Sequence, residues 1–278
     1  MHNHIFGTST LEKDQVGKQK KTHPLPQDTA GRNGLGVADI HIHSNVSDGM
    51  AGIIEILEFV AERGDLDVIA ITDHGEISGG YEARELAAKR NYPFEIIVGM
   101  EINTREGHLL ALFMEKPVEN NQHLTDIISA VHAQGGLCIA PHPMSPFSES
   151  INQRDFDSIM NAGEPGVYFD GIETMNATIM GSISNHRAKK INEKYKLAET
   201  GGSDAHFLIS IGSGLTLFPG RTAEDFRRSI LERTTIPMKG HTPSYFEIGI
   251  GQILKQQRKS RSYFFRGIIK NATRSLRK

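Results

Sequence analysis

Seven short apolar runs recur between residues 37 and 206, most of them separated by helical patterns. This alternation constrains the fold more than any other feature of the chain. The runs are VADIHIH (37–43), LDVIAIT (66–72), FEIIVGMEI (94–102), HLLALF (108–113), GLCIAPHP (136–143), VYFDGIE (167–173) and the weaker LAETGGSDAH (197–206). Between them lie amphipathic stretches. Ile53, Ile56, Leu57 and Val60 share one helical face, as do Leu124, Ile127, Ile128 and Val131. Near-continuous apolar strands alternating with helices predict an α/β fold whose parallel sheet is covered by helices. Seven such units suit a barrel, irregular because the step from the third run to the fourth is very short. A doubly wound open sheet is the alternative.

The polar residues follow the same rhythm, since almost every run ends in a group able to ligate a metal. In Asp39-Ile40-His41-Ile42-His43 the odd residues share one face of a strand, so two imidazoles can meet one ion. Asp48 follows in the next loop, and later runs end at or begin with His74, Glu101, His108, His142, and Asp204 with His206. Parallel α/β folds gather such strand ends at one rim. Six histidines and three carboxylates exceed the needs of one tetrahedral ion. They suit two or three ions, with a carboxylate such as Glu101 bridging a pair. The remaining histidines lack this placement: His2 and His4 are leader, His123 and His132 lie at an amphipathic helix and read as solvated, His186 sits in a polar helix and His241 in a loop.

Composition narrows the setting. The single cysteine, Cys138, excludes an internal disulfide framework and a cysteine-rich zinc site, and its apolar run makes it a small buried hydrophobe. No apolar run approaches the roughly 18 residues of a membrane span, and the first residues lack an apolar signal segment. A cytoplasmic location is the expectation. The net charge of −2 hides an asymmetry: residues 255–278 hold nine Lys/Arg and no Asp/Glu, leaving 22 basic against 33 acidic residues elsewhere. An acidic body favours cations over nucleic acid or anionic lipid. Three segments are expected: a disordered leader over 1–36, one metal-binding domain over 37–240, and a basic, helical tail over 241–278.

At these residues the chain resembles the PHP family (polymerase and histidinol phosphatase domain). DIHIHSNVSDG, ITDHGEISGGYEA, VGMEI, GHLLAL, APHP and GGSDAH stand in family order and span 37 to about 240. The resemblance implies a distorted (β/α)7 barrel, up to three metal ions and phosphoesterase activity. It assigns His41, His43, Glu101 and Asp204 to a first ion, and Asp48, His74 and His206 to a second. Glu101, His108 and His142 fall to a third. Asp48 stands where some members have histidine, adding charge to the second site. Asp39 and Asp73 are expected to orient ligating histidines. Only 33 residues separate His108 from His142, so the helical insertion that caps many family phosphatases is expected to be missing, and no polymerase module is present.

The chemistry that follows is hydrolysis of a small phosphomonoester or nucleotide-like substrate, nucleic acid included, by hydroxide formed at two or three divalent ions. Manganese, zinc and iron all suit the mixed imidazole–carboxylate set. The chain has neither a GxSxG elbow nor a GxxxxGK[ST] loop, which agrees with a metal in place of a side-chain nucleophile. Asp204 and His206 are the candidate proton-handling residues. Arg105, Ser78 at a helix start, Asn176 and Arg187 are the candidate substrate contacts. Amide or lactone hydrolysis by the same hydroxide, and a non-catalytic metal-stabilised regulatory module, are the competing readings. In the tail, Phe264, Phe265, Ile268, Ile269, Ala272 and Leu276 make a stripe flanked by Arg266, Lys270, Arg274 and Arg277. Such a helix can lie on an anionic membrane as a peripheral contact, steer an anionic polymer, or pack on the body.

Overall fold

A computed structural model describes residues 34–146, 149–178 and 181–275, with residues 264–275 described only for the course of the helix they continue. The expected leader over 1–36 therefore lies almost wholly outside the described residues, and so do the side chains of the basic stripe. The seven expected strands are all present: β1 (Leu35–Ile42), β2 (Val68–Ile71), β3 (Glu95–Asn103), β4 (His108–Leu112), β5 (Leu137–Ala140), β6 (Gly171–Asn176) and β7 (Ala198–Gly202). Two more, β8 (Gly214–Pro219) and β9 (Ile236–Lys239), complete one sheet in the order β7-β6-β5-β4-β3-β2-β1-β8-β9.

The sheet is mixed rather than parallel. The short step after the third run is an antiparallel hairpin in which Asn103 faces His108, and β4 then pairs antiparallel with β5. β8 and β9 add antiparallel pairs beyond β1. The sheet curls until the end of β7 meets β1: Ala205 bridges Ile42 in parallel, with Ala205 N donating to His41 O and His43 N to Ala205 O. The result is a mixed α/β fold with a nearly closed, barrel-shaped sheet. Closure depends on small residues. A Cβ at Gly201 would overlap the carbonyl oxygen of Leu215, and one at Gly202 would overlap His41 and Glu173.

Helices cover the outside. α1 (Ile53–Arg63) and α3 (Leu124–Ala133) bury the faces read from the sequence. In α1, Glu55 accepts from the Gly52 N–H at the start, and Gly64 takes a left-handed conformation (φ 66°) at the end. α2 (Ser78–Arg90), α4 (Gln153–Asn161), α5 (Ser182–Tyr195) and α6 (Ala223–Glu232) complete the layer. The chain then makes a short helix, α7 (Tyr245–Ile248), and a long one, α8 (Ile250–Ser275). No helix among the described residues is long and apolar enough to cross a membrane.

Candidate metal centre

The nine ligand-type residues meet at one rim of the barrel. Glu101, 1% exposed at the end of β3, stands at the centre. Its Oε2 lies 3.3 Å from His41 Nε2, 3.2 Å from His43 Nε2 and 3.3 Å from His74 Nδ1. Its Oε1 lies 2.9 Å from His108 Nδ1 and 3.1 Å from His142 Nε2. Each oxygen thus faces its own set of imidazoles, the geometry of a bridging carboxylate. Asp204 Oδ1 faces His43 Nε2 at 3.3 Å and His41 Nε2 at 3.7 Å, and Asp48 Oδ1 faces His206 Nε2 at 3.2 Å and His74 Nε2 at 3.9 Å. Four compact groups result: His41, His43 and Asp204; His43, Asp48, His74 and His206; His41, Glu101 and His142; His74, Glu101 and His108. His43 joins the group expected to hold Asp48, His74 and His206 alone.

The donor set fits divalent cations. Buried polar atoms ordinarily have hydrogen-bond partners. Among the described residues, His41 Nε2, both nitrogens of His43, His74 Nδ1, His108 Nδ1 and Asp48 Oδ1 are buried and make no hydrogen bond. Imidazole nitrogens and carboxylate oxygens pointing at a shared centre are what manganese, iron or zinc take. Tautomers are arranged for it. Glu173 Oε1 faces His41 Nδ1 at 3.2 Å, and the Asp204 carbonyl faces His206 Nδ1 at 3.1 Å, so each ring donates there and keeps a bare Nε2 turned inward. Backbone conformation is bent to the purpose as well: His142 (φ 28°) and Asp204 (φ 51°) both lie in the left-handed region, which non-glycine residues adopt mainly where the surroundings enforce it.

Charges across the cluster hold one another. Burial disfavours an imidazolium at His43, yet Asp204 and Glu101 lift it to about 10; burial is likewise overcome by Glu101 and Glu149 at His108, which rises to about 9. Burial dominates at His74, which falls to about 3. Burial also opposes charge on Glu101 and Asp204, but the histidines around them keep both carboxyls well below the usual range.

Other expected residues are placed differently. Among the described residues, Asp39 and Asp73 hydrogen-bond to backbone and hydroxyl groups rather than to an imidazole. Asp39 accepts from the Ser203 and Gly212 N–H groups at 3.1 and 2.7 Å, tying β1 to the loops after β7. Asp73 accepts from Ser44 N, Ser44 Oγ and Ser47 Oγ, fixing the loop that carries Asp48. The orienting carboxylate is Glu173, fully buried on β6: besides His41 it accepts from His142 N at 2.8 Å and Asn176 Nδ2 at 2.9 Å. No spacing in the sequence singles it out, although an acid at the end of an apolar run, as in VYFDGIE, is a signal, because a buried carboxylate needs partners.

A chamber of about 530 Å³ opens above the cluster, lined by Asp48, His74, Glu101, His108, His142, Asp204 and His206 among others. Among the described residues no lysine or arginine lines it. Arg105 instead donates to the Asn121 carbonyl and faces His123, and Arg187 donates to the Met144 carbonyl. Ser78 is exposed at the first turn of α2. Asn176 is buried and holds Glu173 and Asp204 Oδ2 rather than lining the chamber. His132 is also not solvated: its side chain is 13% exposed and its ring lies between Gly166 O at 2.8 Å and Asp170 Oδ2 at 2.9 Å, remote from the cluster. Cys138 is buried, as expected.

Comparison with known proteins decides the family. The PHP domain model matches residues 39–201, and a PHP-associated model matches 182–235. The chain belongs to the PHP family. It is 33% identical over 162 residues to the uncharacterised protein MJ1587 of Methanocaldococcus jannaschii, covering 54% of this chain and 88% of that one. A 5'-3' exoribonuclease of Haemophilus influenzae is 39% identical over 82 residues, and a phosphoribosyl 1,2-cyclic phosphate 1,2-diphosphodiesterase of Eggerthella lenta 31% identical over 86. These matches cover 28% and 29% of this PHP chain, and 29% and 32% of those enzymes. Among solved structures, a two-domain protein of Bacteroides vulgatus containing a predicted PHP-like metal-dependent phosphoesterase superposes with a TM-score of 0.61 at 21% identity. That match covers 74% of this chain and 65% of that one, so the likeness is one of fold, the barrel common to both.

Proposed function

We propose that this PHP protein is a metal-dependent phosphoesterase acting on a small phosphomonoester or nucleotide-like substrate. The observation that carries the reading is the meeting of His41, His43, Asp48, His74, Glu101, His108, His142, Asp204 and His206 at one rim of the barrel, beneath an open chamber that no lysine or arginine lines among the described residues. An anionic substrate entering that chamber needs cations to hold it. Divalent ions bound there supply an ionised water near neutral pH and positive charge for the phosphoryl oxygens.

The residues divide the remaining work. Glu101, whose two oxygens face different imidazoles, would take part in holding the ions. Glu173 and Asn176 hold His41 and Asp204 in place. Asp204, kept ionised by His41 and His43, turns Oδ1 to both rings and would hold an ion there. His206 has Nδ1 engaged by the Asp204 carbonyl and turns Nε2 to Asp48, so as an ion ligand it carries no proton there and its part is to hold the ion. The names of the two partial relatives, a diphosphodiesterase of a phosphoribosyl cyclic phosphate and an exoribonuclease, support the nucleotide-like end of the range.

Release of phosphate, and of nucleotide from RNA, by manganese-loaded protein tests this. The panel holds sugar phosphates, nucleoside mono- and bisphosphates and short 5'-phosphorylated RNA, with Asp204→Asn as control. The expected result is release by wild type and a loss of about 10²-fold or more in the variant. Silence across monoesters and diesters, with metal shown to be bound, overturns the reading.

A further inference from the structure

The sequence divides at about residue 240 into a catalytic body and a basic tail, but the structure lays the start of that tail across the metal centre. α8 turns Ile253, Gln256, Lys259, Ser260 and Tyr263 inward, a stripe at helical spacing, while Leu254, Arg258 and Arg261 remain exposed. Gln256, Gln257, Ser260 and Tyr263 line the chamber wall opposite the histidines. Three side chains fasten the helix. Gln256 Nε2 donates to Asp48 Oδ2 at 3.2 Å. Lys259 Nζ donates to the carbonyls of Asn45 (3.2 Å) and Gly49 (2.6 Å), and Tyr263 Oη donates to the carbonyl of His74 (2.6 Å).

All three grip the same place. Asn45, Asp48 and Gly49 belong to the loop after β1, and His74 follows β2; together these loops carry three members of the His43–Asp48–His74–His206 group. The inward stripe is also unusual for a helix that only covers a fold, because it sets an amine and an amide, beside Ile253 and Tyr263, against the body. Asp48 turns Oδ1 to His206 and His74, and Gln256 holds Oδ2 away from them. The carboxylate is thus presented to that group through one oxygen.

We infer that α8 is a working part of the metal centre: Gln256 is a positioning residue for Asp48, and the helix seats on the body in step with the ion held by His43, Asp48, His74 and His206. The inference rests on the metal-centre reading but not on the identity of the ester. Linkage makes it reciprocal, since an ion that orders the Asp48 loop also favours the docked helix.

The test uses the full chain and Mn²⁺ alone as probe, so it reads independently of any substrate. Calorimetric titration of Gln256→Leu is expected to show one Mn²⁺ site weakened about tenfold or more, in the range found for partners of metal ligands, with the other sites unmoved. Gln256→Asn, which keeps the amide, is expected to recover part of the loss. In wild type, Mn²⁺ is expected to slow proteolytic cleavage within α8, and Lys259→Met to abolish that protection while its thermal melt stays cooperative. If Gln256→Leu titrates like wild type, or if Mn²⁺ leaves cleavage of α8 unchanged in wild type, the inference is overturned. Failure of the phosphate-release panel with these results intact would discard the ester reading and leave this one standing.

Discussion

Two buried groups show how single side chains set the behaviour of the site and of the fold beneath it. Glu173 makes no approach to the chamber, yet it fixes the tautomer of His41 and the backbone of His142. Glu173→Gln keeps the shape and removes the charge, so Mn²⁺ affinity is expected to fall about 10- to 100-fold while the fold persists, which calorimetric titration reads. His132 concerns the fold alone. Both its ring nitrogens face acceptors, so both must carry protons. Burial opposes that charge, but Asp170 and the Gly166 carbonyl raise the pKa above its ordinary value. A histidine raised on folding contributes stability that is fully present below the unfolded pKa of about 6.5 and is lost as pH rises through the folded value. His132→Gln is therefore expected to cost about 1–2 kcal/mol at pH 6 and distinctly less at pH 9, measured by urea denaturation at both. The sequence placed His132 on the polar side of an amphipathic helix; its partners come from residues 166 and 170, which no local pattern connects to it.

The strands were legible as elements because apolar runs bounded by turns carry their own signature, and the apolar faces of α1 and α3 are buried as their spacing implies. β8 and β9 were not. GLTLFP is short and follows closely on the loop after the last ligand, and IPMK carries a proline and two exposed ends. Direction was not legible either: a parallel and an antiparallel strand can bury the same residues, and only the four-residue turn at 104–107 is too short for anything but a hairpin of β3 and β4. The contact of β7 with β8 rests on the close approach of backbones. Thr216 Oγ1 bonds both the N–H and the carbonyl of Gly201, 2.9 Å from each, where a side chain would strike Leu215 O. Gly201→Ala is expected to destabilise the protein by about 2 kcal/mol or more, read from the shift in the urea midpoint at unchanged slope.

Taken whole, the molecule is a barrel whose rim concentrates buried carboxylates and histidines that a cation would satisfy together. Cation binding to the folded state alone therefore stabilises it: Mn²⁺ at 100 times its dissociation constant is expected to contribute about 2.7 kcal/mol, and a chelator to reverse the rise in melting temperature. A melting temperature indifferent to Mn²⁺ would remove the metal centre as a feature of the native protein. The ligand types, their order and their position at strand ends follow from the sequence alone, because strand parity and the geometry of α/β sheets act over a few residues and then over the common rim. Which oxygen of Glu101 faces which imidazole, the reach of Glu173 to His41 across 132 positions, and the passage of α8 over Asp48 across 208 follow only from the closed barrel. Those contacts join residues far apart in the chain, and no period or spacing in a sequence records a distance that only the folded backbone sets.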